Sequence, residues 1–232
     1  MTETTGTTGP TGTTTGSTTG AAGMTTGAAE TAGAAAPWRA GAGAPRVRIE
    51  PWAPDGLDLL RRANTPVMTR YVGGPETEEQ LARRHRRYLA DEEPGRMYRI
   101  VLLPEGAAVG TAGFWVADRR GEAVYEAGWS VLPAFQGRGI AVAAVAHVLA
   151  AAAAEGHHPS VHAYPSVANA ASNAVCRRAG FRLLGECEIE YPKGYLLRAN
   201  DWCIALTAEG AGSRTMTRTP TRELPPPRAL AA

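Results

Sequence analysis

QGRGIAVAAVAHVLAAAAAEG, residues 136–156, sets two glycines and an arginine directly ahead of a long alanine-rich run. Glycine costs about 1 kcal/mol relative to alanine inside a helix, so Gly137 and Gly139 belong to a turn and the helix starts after them. Backbone N–H groups at a helix start have no intrahelical partner and form a site for anionic oxygens. The apolar stretch Ala123 to Leu132 reads as a strand, so the whole is a strand–turn–helix with an anion cradle at its centre. Two common phosphate loops do not fit. The GxxxxGK[ST] string is absent, and a dinucleotide fingerprint needs a third glycine where this chain has Val142.

Outward from this unit, the chain of 232 residues divides into three parts. Residues 1–44 are almost entirely Thr, Gly and Ala, without a single Leu, Ile, Val or Phe. Such a segment buries too little apolar surface to offset the entropy of ordering, and disorder is expected there. The polar, proline-rich tail 209–232 reads the same way. Residues 45–208 remain, the size of one domain.

Twenty-four basic against 22 acidic residues leave a net charge of +2, which does not point to nucleic acid. Lys193 is the one lysine among the basic residues, a bias that fits a GC-rich, bacterial genome rather than a binding surface. Three cysteines without a CxxC pair suit a reducing compartment. The chain opens without the basic start and apolar core of a signal peptide, and His147 and Glu155 interrupt its longest apolar run. A cytoplasmic protein away from membranes is expected, as monomer or homodimer.

Alternation and turn residues predict a strand at 46–50, a helix at 55–63, a loop at 64–75 and a helix at 78–90 opened by the capping box Thr77–Gln80. Strands follow at 97–103, 109–116 and 123–132. After the alanine-rich helix come a strand at 160–164, a helix at 169–179 closed by Gly180, and strands at 181–191 and 201–207. This is an α/β chain with a mixed sheet and helices on its faces.

Three blocks together resemble the GNAT superfamily of N-acetyltransferases. Gln136-Gly137-Arg138-Gly139-Ile140-Ala141 is similar to its Q/R-x-x-G-x-G/A pyrophosphate loop. EAGWSVLP, residues 126–133, is similar to its fourth strand, especially in the branch of ribosomal-protein alanine/serine N-terminal acetyltransferases. Asn169 with Ser172, followed by Gly180-Phe181, is similar to its second signature. The resemblance spans residues 46–207. It implies a GNAT fold: a mostly antiparallel, twisted sheet with splayed fourth and fifth strands and flanking helices.

It also implies acetyl-CoA as co-substrate and a primary amine, a protein N-terminus or a small molecule, as acceptor. No metal is called for. The diphosphate is expected on the N–H groups of Gly137 to Ala141, where a Cβ would crowd it, with side-chain help from Gln136 and Arg138. The pantetheine arm is expected to lie beside the backbone of Trp129, Ser130, Val131 and Leu132, with Asn169, Ser172 and Cys176 on its other side.

An amine attacks the thioester, an oxyanion forms, and CoA leaves as thiolate. At pH 7, losing the amine proton costs about 4.6 kcal/mol for a lysine amine and about 1.2 for an α-amino group, so a base matters most. Glu126 is the expected base, by its place on the fourth strand, and Tyr125 the second candidate. Many relatives carry a thiolate-protonating tyrosine seven residues after the motif asparagine. Here that position is Cys176, so Ser172, which matches the serine acid of the N-terminal-acetylating branch, takes that expectation. Glu186, Glu188 and Glu190 share one face of a strand and are equally readable as a cation attractor or a solvated edge. An acyl-CoA-binding sensor without turnover stays open beside the enzyme.

Overall fold

Alternating apolar residues build seven strands in one sheet, and the amphipathic and alanine-rich segments cover its two faces. The structure, a computed structural model, describes residues 45–90, 95–191, 194 and 196–206. The flanking segments 1–44 and 209–232 lie outside the described residues. The elements are β1 (Val47–Pro51), a 3-10 turn (Pro54–Gly56) leading into α1 (Leu57–Ala63), α2 (Pro66–Thr69), α3 (Glu78–Leu89), β2 (Gly95–Leu102), β3 (Ala107–Arg119) and β4 (Glu122–Val131). They continue with α4 (Ile140–Glu155), β5 (Ser160–Ala163), α5 (Ala170–Arg178), β6 (Arg182–Glu190) and β7 (Leu196–Ala205).

The strand order is β1-β2-β3-β4-β5-β7-β6, antiparallel throughout except where β4 meets β5. Neighbouring side chains on a strand point to opposite faces, and this sorts the core. Phe114, Tyr125 and Val161 pack against Ile140, Val145 and Leu149 of α4. Trp115 turns the other way, to Trp52, Leu60, Leu81 and Tyr88 around α1 and α3. The capping box of α3 is present in both directions, Gln80 N–H to Thr77 Oγ1 at 3.3 Å and Thr77 N–H to Gln80 Oε1 at 2.7 Å.

Two expectations are corrected. Residues 64–75 are not all loop. Thr65 caps the short α2 through Met68 N–H (3.3 Å), and Pro66, with φ preset for a helix, stands at its first position. The last strand begins at Leu196 rather than Asp201. Its polar start, LLRAN, lacks alternation, but β6 supplies a hydrogen-bonding partner along its length, from Glu190 opposite Leu196 to Arg182 opposite Cys203. Among the described residues, no helix is long and apolar enough to cross a membrane.

Candidate functional site

β4 and β5 pair over two positions only, Tyr125 with Val161 and Glu126 with His162, and then part. Beyond that pair, among the described residues, the edge of β4 has no strand beside it. Leu132 N–H goes to Val109 O in β3 (2.9 Å). By the alternation of an antiparallel ladder, the N–H groups of Trp129 and Val131 therefore face the split. The Val131 carbonyl is already taken by Gln136 Nε2 (2.8 Å), which also touches Met68 Sδ (3.3 Å). Gln136 thus ties the turn to β4 and α2.

At the open end of the split stands the glycine turn. Gly137 and Gly139 have φ of +72° and +79°, the left-handed region that a Cβ disfavours. The protein itself leaves space at both: a Cβ on Gly137 would meet no atom within 4 Å, and one on Gly139 only Pro45, at 3.4 Å. Conformation, not crowding by neighbouring residues, selects glycine here. Gly139 caps α4, and the first bond back to it comes from Ala143 N–H (3.1 Å), so the N–H groups of Ile140, Ala141 and Val142 stand ahead of the helical ladder. An anion at this end finds backbone donors and the positive end of a 16-residue helix.

Between the turn and α5 runs a cleft of about 300 Å³. Trp129, Val131, Gly137, Gly139, Ile140 and Ala141 form one wall, and Asn169, Ser172, Val175 and Arg178 form the facing one. Two buried donors in these walls have no hydrogen-bond partner, Trp129 Nε1 and Asn169 Nδ2. An unpaired buried donor costs about 1–3 kcal/mol, and both atoms are sealed behind the cleft surface. Asn169 Oδ1 meanwhile accepts from Ser172 N–H (3.1 Å), capping α5.

Glu126 stands at the apex of the split and is 4% exposed. Burial pushes its carboxyl up to about 8, against the opposing pull of the Trp115 indole, which is near but makes no hydrogen bond, and of the charge on His162. Beside it, His162 Nδ1 and Asp201 Oδ1 are 2.7 Å apart, and Asp201 Oδ2 accepts from Arg119 Nε (3.1 Å) and Nη2 (2.8 Å). Burial acts to lower the His162 pKa, but the Asp201 hydrogen bond and the neighbouring Cys203 outweigh it and hold it at about 9. Burial likewise acts to raise Asp201, and the hydrogen bonds from His162 and Arg119 bring it below its ordinary value.

The remaining candidates are spread more widely. Tyr125 points to the α4 face, edge-on to Phe114 and His158, with its hydroxyl 3.4 Å from Glu155 at the last turn of α4. A helix of that length is about 24 Å long, so this hydroxyl lies far from the glycine turn. Ser130 and Leu132 are buried outside the cleft lining, and exposed Arg138 stands over the Phe135 ring, 5.8 Å from its centroid. Cys176 is fully buried behind the α5 wall, its thiol pushed up to about 12 by burial. Glu186, Glu188 and Glu190 are exposed along β6, with Glu186 paired to Arg198.

Sequence reasoning singled out none of five further contributors by residue. Met68, Arg70 and Tyr71 line the cleft from α2 and the residues after it. Arg178 lines it from the last turn of α5. Asn173 is buried behind the wall: its Nδ2 donates to Ser166 O (2.9 Å) and Asn169 O (2.8 Å), and its Oδ1 accepts from Asn200 Nδ2 (2.7 Å) and Trp202 Nε1 (2.8 Å). The Thr65-Pro66 pair was a usable signal for α2. Nothing local in NAASNAV marks Asn173.

A glycine turn at the head of a helix, beside a strand that splits from its parallel neighbour, sets this cleft apart from that of a dinucleotide fold. The chain matches the Acetyltransferase (GNAT) domain over residues 46–182, and it belongs to that family. No curated protein matches it in sequence. Three solved structures with similar folds are an acetyltransferase from Salmonella typhimurium that modifies the N-terminal serine of ribosomal protein L7/L12, an aminoglycoside acetyltransferase in complex with coenzyme A, and spermidine N-acetyltransferase from Vibrio cholerae with CoA and spermine. The first is 19% identical, with a TM-score of 0.57 over 68% of this chain and 94% of that one. The second is 16% identical, with 0.59 over 69% and 95%. The third is 14% identical, with 0.58 over 69% and 95%.

Proposed function

We propose that this protein transfers the acetyl group of acetyl-CoA to a primary amine by direct attack, in the cytoplasm, where its three free cysteines stay reduced. The observation that carries the reading is the left-handed glycine turn and the cleft that runs from it along the unpaired edge of β4 as far as Trp129, with Glu126 buried beyond that lining where β4 and β5 part. The diphosphate rests on the turn and the start of α4. The pantetheine arm lies between the Trp129 and Asn169 walls, and the Val131 or Trp129 N–H receives the oxyanion. Ser172, which lines the cleft, protonates the departing thiolate in this reading.

Glu126 draws the proton from the amine, directly or through water. A base near pKa 8 is matched to an α-amino group near 8, so that transfer is close to thermoneutral, whereas a lysine amine near 10.4 carries a penalty of about 3 kcal/mol. This match favours a protein N-terminus or a similarly weakly basic small amine as acceptor by a modest margin. The similar folds act on amines of several kinds, and none of them selects among these.

The test is CoA release, followed with a thiol reagent, across Ala- and Ser-initial peptides, lysine peptides, aminoglycosides and polyamines. Turnover with any of them excludes a silent acyl-CoA sensor. With the best acceptor, Glu126→Gln lowers the rate by about 10²- to 10⁴-fold with acetyl-CoA affinity unchanged, since shape is kept and basicity lost. A glutamine variant with wild-type turnover at pH 7 removes Glu126 from the mechanism.

A further inference from the structure

Glu126 and His162 are the last in-register pair before β4 and β5 part. Register partners on paired strands share a face, so both side chains lie on the side of Trp115, and they are 4% and 3% exposed. His162 is held from the far side. Arg119 donates two hydrogen bonds to Asp201 and keeps it an acceptor, so the 2.7 Å contact is a bond from His162 Nδ1–H. Tyr164 stacks on the imidazole, with centroids 6.0 Å apart and planes 16° from parallel. Ring orientation is thereby set, and Cys203 stands within hydrogen-bonding reach of the ring as well.

We propose that the His162–Asp201–Arg119 chain supplies the positive charge against which Glu126 works, making His162 a positioning residue for acetyl transfer. The inference rests on the reading of Glu126 as the base. Its physical basis is the charge balance of the apex. Arg119 and Asp201 cancel each other. A lone carboxylate beside them would be an uncompensated buried charge, which costs several kcal/mol. An imidazolium at His162 makes the group of four neutral as a whole once Glu126 has ionised. The other titratable groups facing the imidazole are Cys203 on β7 and Tyr164 after β5, and Cys187 on β6 stands near Tyr164 and Asp201. Burial lifts Tyr164 and Cys187 above their ordinary values, so both stay neutral and neither replaces the imidazolium. The imidazole, held up by its Asp201 bond, carries its charge at neutral pH, and that charge lowers the cost of ionising the buried Glu126 carboxyl.

The experiment measures kcat/KM for the full chain as a function of pH, using whichever of a Ser-initial peptide, kanamycin or spermidine supports CoA release. The amine's own titration is common to all variants and cancels in their comparison. His162→Gln moves the acid limb to higher pH by about one unit or more, the size of a lost opposite charge at short range, while the acetyl-CoA KM stays within about twofold. Asp201→Asn moves it the same way, because the imidazole then loses its proton earlier. A loss of rate with the midpoint unmoved in both variants overturns the proposal and leaves His162 a packing residue.

If His162→Gln fails to fold, the imidazole resonances of His162 are titrated by NMR in wild type and Glu126→Gln. Coupling is reciprocal, so the His162 midpoint falls by about the same amount in the glutamine variant. An unmoved midpoint overturns the proposal whatever the activity. A wild-type rate in Glu126→Gln, by contrast, defeats the base assignment alone.

Discussion

Gly139→Asp, read against Gly139→Asn, separates the two demands made on the glycine turn. Position 139 has φ of +79°, a region an ordinary L-residue enters at a cost of about 1–2 kcal/mol and which Asn and Asp tolerate better than most. Both variants therefore fold with a modest loss of stability, and Pro45 at 3.4 Å is in ordinary contact with the new Cβ. They differ by one charge in nearly the same shape. Two unit charges about 5 Å apart at an effective dielectric of about 40 repel by about 1.7 kcal/mol. Against the two charges of a diphosphate this gives about 3 kcal/mol, or roughly two orders of magnitude in affinity. Calorimetric titration with acetyl-CoA should show the aspartate variant weaker than the asparagine variant by that margin. The gap should narrow as salt is raised from 0.05 to about 0.5 M, where the screening length falls to about 4 Å. Equal affinities for the two folded variants would falsify the placement of an anion on this turn.

Asn173→Ala should lower stability by about 2–3 kcal/mol, because it strands the buried Trp202 donor and the Ser166 carbonyl and frees the part-buried Asn200 amide, and a thermal melt reads this directly. Ser172→Ala should lose about tenfold in rate and Cys176→Ala little, since Ser172 lines the cleft and Cys176 sits behind it; the reverse order in a CoA-release assay exchanges their roles. Stability should decline from mildly acid pH toward pH 9. Glu126 and His162 both have folded pKa values above their unfolded ones, so each stabilises fully below its unfolded pKa and loses that contribution as pH rises through about 8 and about 9. Melting curves of Glu126→Gln should accordingly fall less than wild type between pH 5 and pH 8.5, and an identical decline refutes the buried-carboxyl assignment.

Much of this protein was legible before any coordinates because its signals are local. Glycines ahead of an alanine run, the Thr77–Gln80 box and Gly180 after a helix act within a few residues of where they stand. They placed α3, α4 and α5 to within a residue or two. The glycine turn was legible for the same reason, since two left-handed positions before a helix need glycine whatever surrounds them. Even α2 had its cap and proline in view. What the sequence could not decide is what depends on partners far along the chain. Gln136 spends its amide on Val131 and Met68, a bond between elements 68 residues apart. The start of β7 is a strand because β6 lies beside it, not because LLRAN alternates. Tyr125 and Glu126 are neighbours in sequence, yet the strand's two-residue period sends one to the far end of α4 and the other to the apex. His162, Asp201 and Arg119 are 39 and 82 residues from their partners, and only the sheet order β3-β4-β5-β7 brings them to Glu126. Local chemistry set the turn and the helices; the charge balance at the apex exists only once long-range strand pairing has excluded water from it.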